Sequence, residues 1–306
     1  MPKKTRRTRI AESDATLAFT LLLLLLAWGA GRWTDPAAWA GMGGVVLTTY
    51  WILETNNRCH LLRLRSRMMS SSFLLMCAAL PLFIGDLRAL GIGLALAAFN
   101  HRVLVAYGDD GAVGRMFTAG LTLGAGICLY PPMVLMVPLL WIGSHRNLRV
   151  LSLRSWTASL LGLLTPAAYV LPWMVWTGRS VGEALGQYLH LPLYAWPHWT
   201  LVASAALMVL TALWAIAHFR RTSYKDNTRT RMSLSFTVQE FYAALLLTAF
   251  WPDHPAEGLM LMAVAAAPVA GHWWALAEHR FQGFCCWLLL WLWLALTAVN
   301  ALFMPR

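Results

Sequence analysis

The chain has 306 residues, of which 59% are hydrophobic and 12% are charged, and its mean hydropathy is +0.57. A soluble domain carries about 25% charged residues, so this composition excludes an ordinary soluble fold. The net charge of +11 does not indicate nucleic-acid binding. The Lys and Arg residues lie in short segments between apolar runs, which is the pattern that orients a membrane protein.

Several apolar runs reach the roughly 20 residues that a helix needs to cross a bilayer. Backbone groups in lipid must be paired internally, which restricts spanning structures to helices and closed barrels. The sequence therefore predicts an all-α, polytopic transmembrane helical bundle. It has one basic cytoplasmic tail at 1–14 and a single transmembrane domain at 15–304, with about 11 membrane segments.

The first apolar run is Leu-rich and follows a tail with five Lys and Arg residues. Together with Ala38-Trp39-Ala40 further on, this start resembles a signal peptide. The many apolar runs that follow favour an uncleaved first helix with a cytoplasmic N-terminus. The next segments are predicted at 37–54, 68–84 and 89–107, joined by a basic inner loop at 55–67 and a tight outer turn at 85–88.

The stretch from Phe117 to Arg154 decides the topology of everything after it, because it is long enough for either one tilted helix or two short ones. Pro131 lacks a backbone N–H, and Pro132 keeps the residue before it out of the helical region. These features favour two short helices around the break at Tyr130-Pro131-Pro132. The next segments are then predicted at 155–176, 200–219, 236–251, 257–275 and 283–303.

This hairpin makes the charge distribution one-sided. Nineteen of the 24 Lys and Arg residues fall on the inner side and four on the outer side. A single crossing would instead put two basic loops outside, against the positive-inside bias. The sequence therefore predicts a multi-pass protein of a bacterial inner membrane with its C-terminus outside.

The predicted outer loops contain the candidate functional residues. Carboxylates and a histidine there can act as general bases, and arginine can bind a phosphate through two parallel hydrogen bonds. The candidate catalytic residues are Asp35, Asp253, His254 and Glu257, and the candidate substrate-binding residues are Arg88, Arg179, Glu183 and His190. Loops are polar and rich in Trp and Tyr at any membrane surface, so a purely interfacial role is the competing interpretation.

No cofactor or metal site is predicted. The five cysteines contain no metal-type pair, and most of them lie in apolar runs, where cysteine behaves as a small hydrophobe. Asp253, His254 and Glu257 could ligate a metal, but the two prolines among them equally indicate a turn. His272 and His279 are interpreted as interfacial or packed side chains.

Two further features have competing interpretations. Glu240 is ionisable within an apolar run, which makes it a functional candidate, but its predicted place near the inner interface equally suggests a helix-end role. Without a clear charge at a segment centre, a coupled transporter is disfavoured. Gly120 and Gly124 have the spacing at which helices pack closely in membranes, and a ligand-site role for them is the alternative.

The motif Ala119-Gly120-Leu121-Thr122-Leu123-Gly124 with Leu129-Tyr130-Pro131-Pro132 resembles an uncharacterised family of bacterial polytopic inner-membrane proteins of this length. Arg154-Ser155-Trp156, Gly162-Leu163-Leu164-Thr165-Pro166 and the stretch from Ala267 to Trp287 are similar to it as well. The resemblance covers most of the chain after residue 45 and carries no activity with it.

The same glycine-rich helix, proline break and basic loop also resemble multi-span glycosyltransferases that use polyprenyl-phosphate sugars. Those enzymes have an acidic residue in the outer loop after the first helix, and Asp35 stands there in this chain. The chain departs from them in lacking a large outer domain and a second acid in that loop. This resemblance implies transfer of a sugar or related group, with Asp35 as base and Arg88 or Arg179 holding the phosphate.

The partners predicted are membrane lipids, including polyprenyl phosphate. A protein that serves envelope assembly without catalysis, or a transporter, is the alternative function.

Overall fold

The computed structural model describes residues 10–29, 34–178, 180–186, 188, 199–277 and 279–303, without the side chains of 183, 184 and 303. Within these ranges the fold is wholly helical, with twelve α-helices and no strand. The helices are α1 Ala15–Gly29, α2 Pro36–Cys59, α3 Met68–Ala78, α4 Leu87–Val105, α5 Val113–Leu129, α6 Val137–Arg146, α7 Leu153–Trp176, α8 Val181–Gly186, α9 Trp199–Thr222, α10 Thr228–Phe250, α11 Pro255–Leu276 and α12 Arg280–Phe303. Three short 3₁₀ turns lie at Pro81–Phe83, Pro131–Met136 and Ser223–Lys225.

Six of these helices are long and apolar enough to cross a membrane, namely α4, α7, α9, α10, α11 and α12. Three shorter apolar helices, α1, α3 and α5, accompany them. A helix lies at each predicted segment, but α3 has only 11 residues and α6 only 10, well below the roughly 20 that a span needs. The all-helical fold is confirmed and six helices could span a membrane, whereas the count of eleven membrane segments is not confirmed.

Helix α11 forms the centre of the molecule. Twenty of its 22 residues are buried, and it packs against α3, α4, α9 and α10. By contrast, α7 buries only four of its 24 residues. Its remaining surface is rich in exposed apolar side chains such as Leu161 and Tyr169, which is the expected composition of a face turned towards lipid.

Helix α3 ends earlier than the predicted segment at 68–84, because Pro81 follows and cannot continue the helical hydrogen bonds. The carbonyl groups freed at its end are taken by side chains of two other helices. Trp28 donates from Nε1 to the carbonyl of Cys77 at 3.2 Å, and Asn300 donates from Nδ2 to that of Ala79 at 2.6 Å. These bonds satisfy a buried helix terminus.

The central stretch breaks at Tyr130, as the sequence predicts. Tyr130 has an extended backbone with φ −141° and ψ 90°, the conformation that a following proline imposes. After the 3₁₀ turn at Pro131–Met136, α6 runs back. The amide of Gly108 donates to the carbonyl of Leu148 at 2.9 Å, and Ser152 Oγ donates to the carbonyl of Asp110 at 3.0 Å. The two ends of the stretch therefore lie on the same side of the molecule, which is what a hairpin requires.

Helices α5 and α7 pack through a seam of small residues. A Cβ added to Gly120 would lie 2.1 Å from the carbonyl oxygen of Ser159, and one added to Gly124 would lie 2.4 Å from that of Leu163. On the other side of the seam, a Cβ on Gly162 would lie 2.1 Å from the oxygen of Phe117. The predicted close packing at this glycine spacing is confirmed. The contacts follow the same order along both helices, so α5 and α7 run parallel.

Helix α10 begins at Thr228, not at 236, so Glu240 is the thirteenth of its 23 residues. The interpretation of Glu240 as a helix-end residue is therefore wrong. The hydropathy of the first turns is low because they contain Arg229 and Arg231, but tertiary contacts keep them helical. Arg229 lies over the Tyr107 ring at 5.8 Å, and Thr230 Oγ1 donates to the carbonyl of His60 at 3.3 Å.

Candidate functional site

The start of α11 places a carboxylate at one end of the molecule. Pro255 is the first helical residue, a position that suits proline because no backbone donor is needed there. Glu257 follows in the first turn, where the positive end of the helix dipole favours a negative charge. His254 precedes the helix without capping it through its side chain. This local sequence brings the imidazole and the carboxylate to the same turn.

Arg88, at the start of α4, completes a polar trio with His254 and Glu257. His254 Nδ1 lies 3.6 Å from Glu257 Oε1, and Arg88 Nη1 lies 4.0 Å from the same oxygen. The Glu257 side chain is only 7% exposed, whereas that of Arg88 is 47% exposed. A buried carboxylate is thus flanked by an accessible cation and a titratable ring.

Aromatic side chains form a wall beside this trio. The Tyr188 ring lies 4.8 Å from the His254 ring, and the Tyr130 ring meets Tyr188 edge-on at 5.7 Å. Trp251 holds the backbone of Tyr188 in place, since its Nε1 donates to the carbonyl of Tyr188 at 2.9 Å. We call Arg88, Tyr130, Tyr188, His254 and Glu257 the Glu257 cluster.

The two tyrosine hydroxyls of the cluster differ in their surroundings. Arg88 donates from Nη1 to the hydroxyl of Tyr188 at 3.5 Å. Burial raises the pKa of Tyr188, and the nearby Glu257 carboxylate adds to that effect while Arg88 opposes it. Tyr130 is fully buried, and its hydroxyl has no hydrogen-bond partner within the described residues. Such an orphan group at a site is a vacant hydrogen-bonding position.

The cluster contains the groups that a group transfer needs. The Glu257 carboxylate lies on the Nδ1 side of the His254 ring at ion-pair distance, so Nε2 is the nitrogen that can act as a base. Arg88 presents an exposed guanidinium, the preferred partner of a phosphate. The tyrosine rings provide apolar faces with a polar edge.

Of the other predicted site residues, Asp35 has a structural role, Asp253 directly precedes His254, and the rest lie wholly or in part outside the described residues. Asp35 caps α2, its Oδ1 accepting from the amide of Ala37 at 2.9 Å. Asp253 is exposed in the turn before α11. Arg179 and His190 lie outside the described residues, and Glu183 is in α8 with its side chain outside them. The structure thus brings together Arg88, His254 and Glu257, which come from two distant loops.

Tyr130 was missed as a site residue, because the sequence presented it only as the position before two prolines. The available signal was an aromatic residue at the end of one helix, which the following proline keeps out of the next one. Among the described residues, no three or more His, Cys, Asp or Glu side chains are placed to hold a metal ion.

A second buried cluster, which the sequence did not indicate, lies at the opposite end of α11. Asp226, between α9 and α10, accepts from Arg63 Nε at 2.5 Å and contacts His272 Nε2 at 3.1 Å. The side chains of Asp226 and His272 are fully buried. We call Arg63, Asp226 and His272 the Asp226 cluster. His272 is 15 residues after Glu257, or about 22 Å along the helix axis, so the two clusters mark the two ends of the molecule.

A large apolar groove also lies in the half that contains the Asp226 cluster. It has a volume of about 480 Å³ and is lined by residues of α1, α3 and α12 together with Trp274. Because it opens between apolar helix faces, bilayer acyl chains would fill it. It is not continuous with the Glu257 cluster and does not extend that site.

Comparison with known proteins found no match. No family model, curated protein or solved structure matches this chain.

Proposed function

We propose that this protein transfers a sugar or a related group from a polyprenyl-phosphate donor to an acceptor hydroxyl, at the Glu257 cluster. The observation that carries the proposal is the convergence of Arg88, His254 and Glu257 from α4 and α11 around one buried carboxylate oxygen. A positive group for phosphate and a base held by a carboxylate are the two requirements of such a transfer.

The distribution of charge supports the face on which this happens. The loops at the Asp226 end carry most of the basic residues, whereas the Glu257 end carries few. By the positive-inside bias, the Glu257 cluster belongs to the outer face of a bacterial inner membrane, with the N-terminus in the cytoplasm. A donor anchored by its prenyl chain in the bilayer would present its phosphate at this depth.

The proposed reaction needs one base and one phosphate-binding group. His254 removes the proton from the acceptor hydroxyl, whose oxygen forms a bond with the anomeric carbon of the sugar. The bond between that carbon and the phosphate oxygen breaks, and both of its electrons leave with the phosphate. Arg88 compensates the charge of the released polyprenyl phosphate, and Glu257 stabilises the protonated His254.

In this proposal Asp35 does not have the role of base that the resemblance implies. Its carboxylate caps α2, so the role of base passes to His254 with Glu257. The two assignments are distinguishable, because Asp35→Asn retains a side-chain oxygen that can cap the helix but cannot act as a base.

The experiment uses the purified full-length protein in lipid nanodiscs with a radiolabelled polyprenyl-phosphate sugar and a panel of lipid-linked acceptors. His254→Ala and Glu257→Gln are each expected to lower the transfer rate by about 10²–10⁴-fold, the contribution of a general base. Asp35→Asn should stay near the wild-type rate. Asp109→Asn is the matched control, since Asp109 is an exposed carboxylate at the other end of the molecule.

Two results would overturn the proposal. One is wild-type transfer by folded His254→Ala and Glu257→Gln proteins, and the other is absence of transfer with every donor tested. Loss of a co-purifying envelope protein on changing a lipid-facing helix, with the cluster dispensable, would instead support the non-enzymatic alternative.

A further inference from the structure

Glu240 is a buried carboxyl group in the middle of α10 that the proposed transfer does not use. It is 0% exposed, and neither of its oxygens has a hydrogen-bond partner among the described residues. The side chain of Asn100 on α4 interacts with it without reaching hydrogen-bond geometry. A carboxyl group in such surroundings is stable only when it holds a proton or a cation.

No cation on the elements packed against α10 faces Glu240. On α4, His101 contacts Thr55 and Arg102 lies over Trp51. On α11, Glu257 faces His254 and His272 faces Asp226. The remaining titratable groups on packed elements are Arg88, which contacts Tyr188 and Glu257, and the exposed His145 and Arg146 of α6. The 3₁₀ turn at Pro131–Met136 has no titratable side chain.

A small cavity lies beside Asn100. Its volume of about 20 Å³ is enough for one water molecule. Its polar lining comes from Asn100, Thr55 and Thr237, on three different helices. Asn100 is 6% exposed, and its Oδ1 has no hydrogen-bond partner within the described residues. A water molecule in the cavity would donate to that oxygen.

Through Thr55, the cavity is connected to a buried histidine. Thr55 lines the cavity, and its Oγ1 lies 3.1 Å from His101 Nδ1. His101 is 3% exposed. The charged groups that act on His101 are Arg102, Arg58 and Glu54, and Glu54 and Arg58 pair with each other at the partly exposed end of α2. Polar groups therefore lie near one another from the partly exposed end of α2 to Glu240, with Thr55 and His101 in direct contact.

We infer that Glu240 is a proton-binding site in the membrane core, at which a proton exchanges with His101 through the Thr55 hydroxyl and one water molecule, which donates to Asn100 Oδ1 and is held in place by that bond. In each transfer the His101 imidazolium loses one proton and the Glu240 carboxylate gains one, and no other bond changes overall. The site gives the protein a proton-dependent function that is independent of the proposed transfer. Its ligand is the proton, and its route opens at the Glu54 end of α2.

The test is infrared difference spectroscopy on the full-length protein in nanodiscs, with ¹³C-labelled glutamate to separate Glu from Asp. The wild type should show a protonated carboxylic-acid band that shrinks as the pH rises. The band should be missing from Glu240→Gln and present in Glu257→Gln. Ala97→Val, which fills the cavity from α4, should slow hydrogen–deuterium exchange of that band by at least about tenfold, because it excludes the water.

A band that keeps its full size at every pH where the protein stays folded would overturn the inference. So would an unchanged band in Glu240→Gln, or unchanged exchange in Ala97→Val. If Glu240→Gln does not fold, wild-type protein treated with dicyclohexylcarbodiimide replaces it. A pH-dependent adduct located at Glu240 by peptide mass spectrometry would support the site, and absence of that adduct would overturn it. None of these readouts depends on transfer activity.

Discussion

At the scale of single residues, the two ends of α11 have buried carboxylates with different environments. Glu257 lies beside an exposed arginine and a partly exposed histidine, so a ligand can reach its partners. Asp226 instead accepts from Arg63 and contacts a fully buried His272. The first arrangement suits binding and catalysis, whereas the second suits the joining of α11 to the loop between α9 and α10.

Asp226→Asn is expected to destabilise the protein by about 1.5–3 kcal/mol, the range for hydrogen bonds to charged groups. Burial by itself raises the pKa of Asp226, but hydrogen bonds from His272 and Arg63 outweigh burial and hold that pKa below its ordinary value. A lowered pKa in the folded state stabilises the protein above the unfolded-state pKa, which is about 3.9. The stabilisation is lost as the pH falls through the folded-state pKa.

Thermal unfolding in nanodiscs between neutral pH and about pH 3 measures this effect. The free energy of unfolding should fall on acidification in the wild type and fall less steeply in Asp226→Asn. Asp109→Asn, at an exposed carboxylate, should follow the wild type. A mutant curve parallel to the wild-type curve would mean that Asp226 does not titrate in this way.

Arg88→Ala tests the phosphate-binding role. Since the guanidinium is half exposed, we expect the loss of its contact to raise the KM for the donor by about tenfold, which corresponds to about 1.4 kcal/mol. Arg88→Lys keeps the positive charge but not the paired hydrogen-bond geometry, so its KM should lie between those of the wild type and Arg88→Ala. Steady-state kinetics over a range of donor concentrations separates KM from kcat. An effect on kcat alone would place Arg88 outside donor binding.

At the scale of helices, the seam between α5 and α7 depends on small side chains. The four buried residues of α7 are Ser155, Ala158, Ser159 and Gly162, which repeat on one helix face. Close packing of backbones takes the place of the hydrophobic driving force that is missing within lipid. The seam is therefore the main attachment of a helix that is otherwise exposed.

Gly162→Ala should weaken this attachment, because the new Cβ would meet the carbonyl oxygen of Phe117, which is backbone and cannot turn away. We expect a loss of about 1–3 kcal/mol, as for an overpacked core. Gly43→Ala on α2 is the matched control, since nothing lies within 4 Å of its Cβ position. It should be neutral or slightly stabilising. Equal thermal stability of the two variants would contradict the role of the seam.

At the scale of the whole molecule, the topology has a direct test. Single cysteines at positions 35, 147 and 253, in a protein whose five native cysteines are replaced, report the side of each loop. A membrane-impermeant thiol reagent on intact cells should label 35 and 253 but reach 147 only after permeabilisation. Labelling of 147 from outside would exclude both the hairpin and a shared face for the outer residues.

Local chemistry accounts for what the sequence predicted. Proline at 131 and 132 predicts the break at Tyr130, and the glycine spacing at 120 and 124 predicts the seam. The alternation of segments predicted only that Arg88, His254 and Glu257 share a face, because contacts between loops cannot be read from sequence spacing. The pairing of Arg63 with Asp226 could not be predicted, because it joins residues 163 positions apart. The position of Glu240 in the middle of α10 was missed because the charged first turns of that helix have low hydropathy and were left out of the predicted segment. Tertiary contacts of Arg229 and Thr230 keep those turns helical.

The central position of α11 has a consequence for the order of synthesis. The helix around which α3, α4, α9 and α10 pack leaves the ribosome as the eleventh of the twelve described helices. Until it arrives, the 11-residue α3, which contains the three consecutive serines Ser70, Ser71 and Ser72, lacks one of the helices that it packs against. We therefore expect the early helices to associate loosely at first, in a state that insertion machinery or an assisting membrane protein would shelter. The arrival of one late helix then closes the bundle.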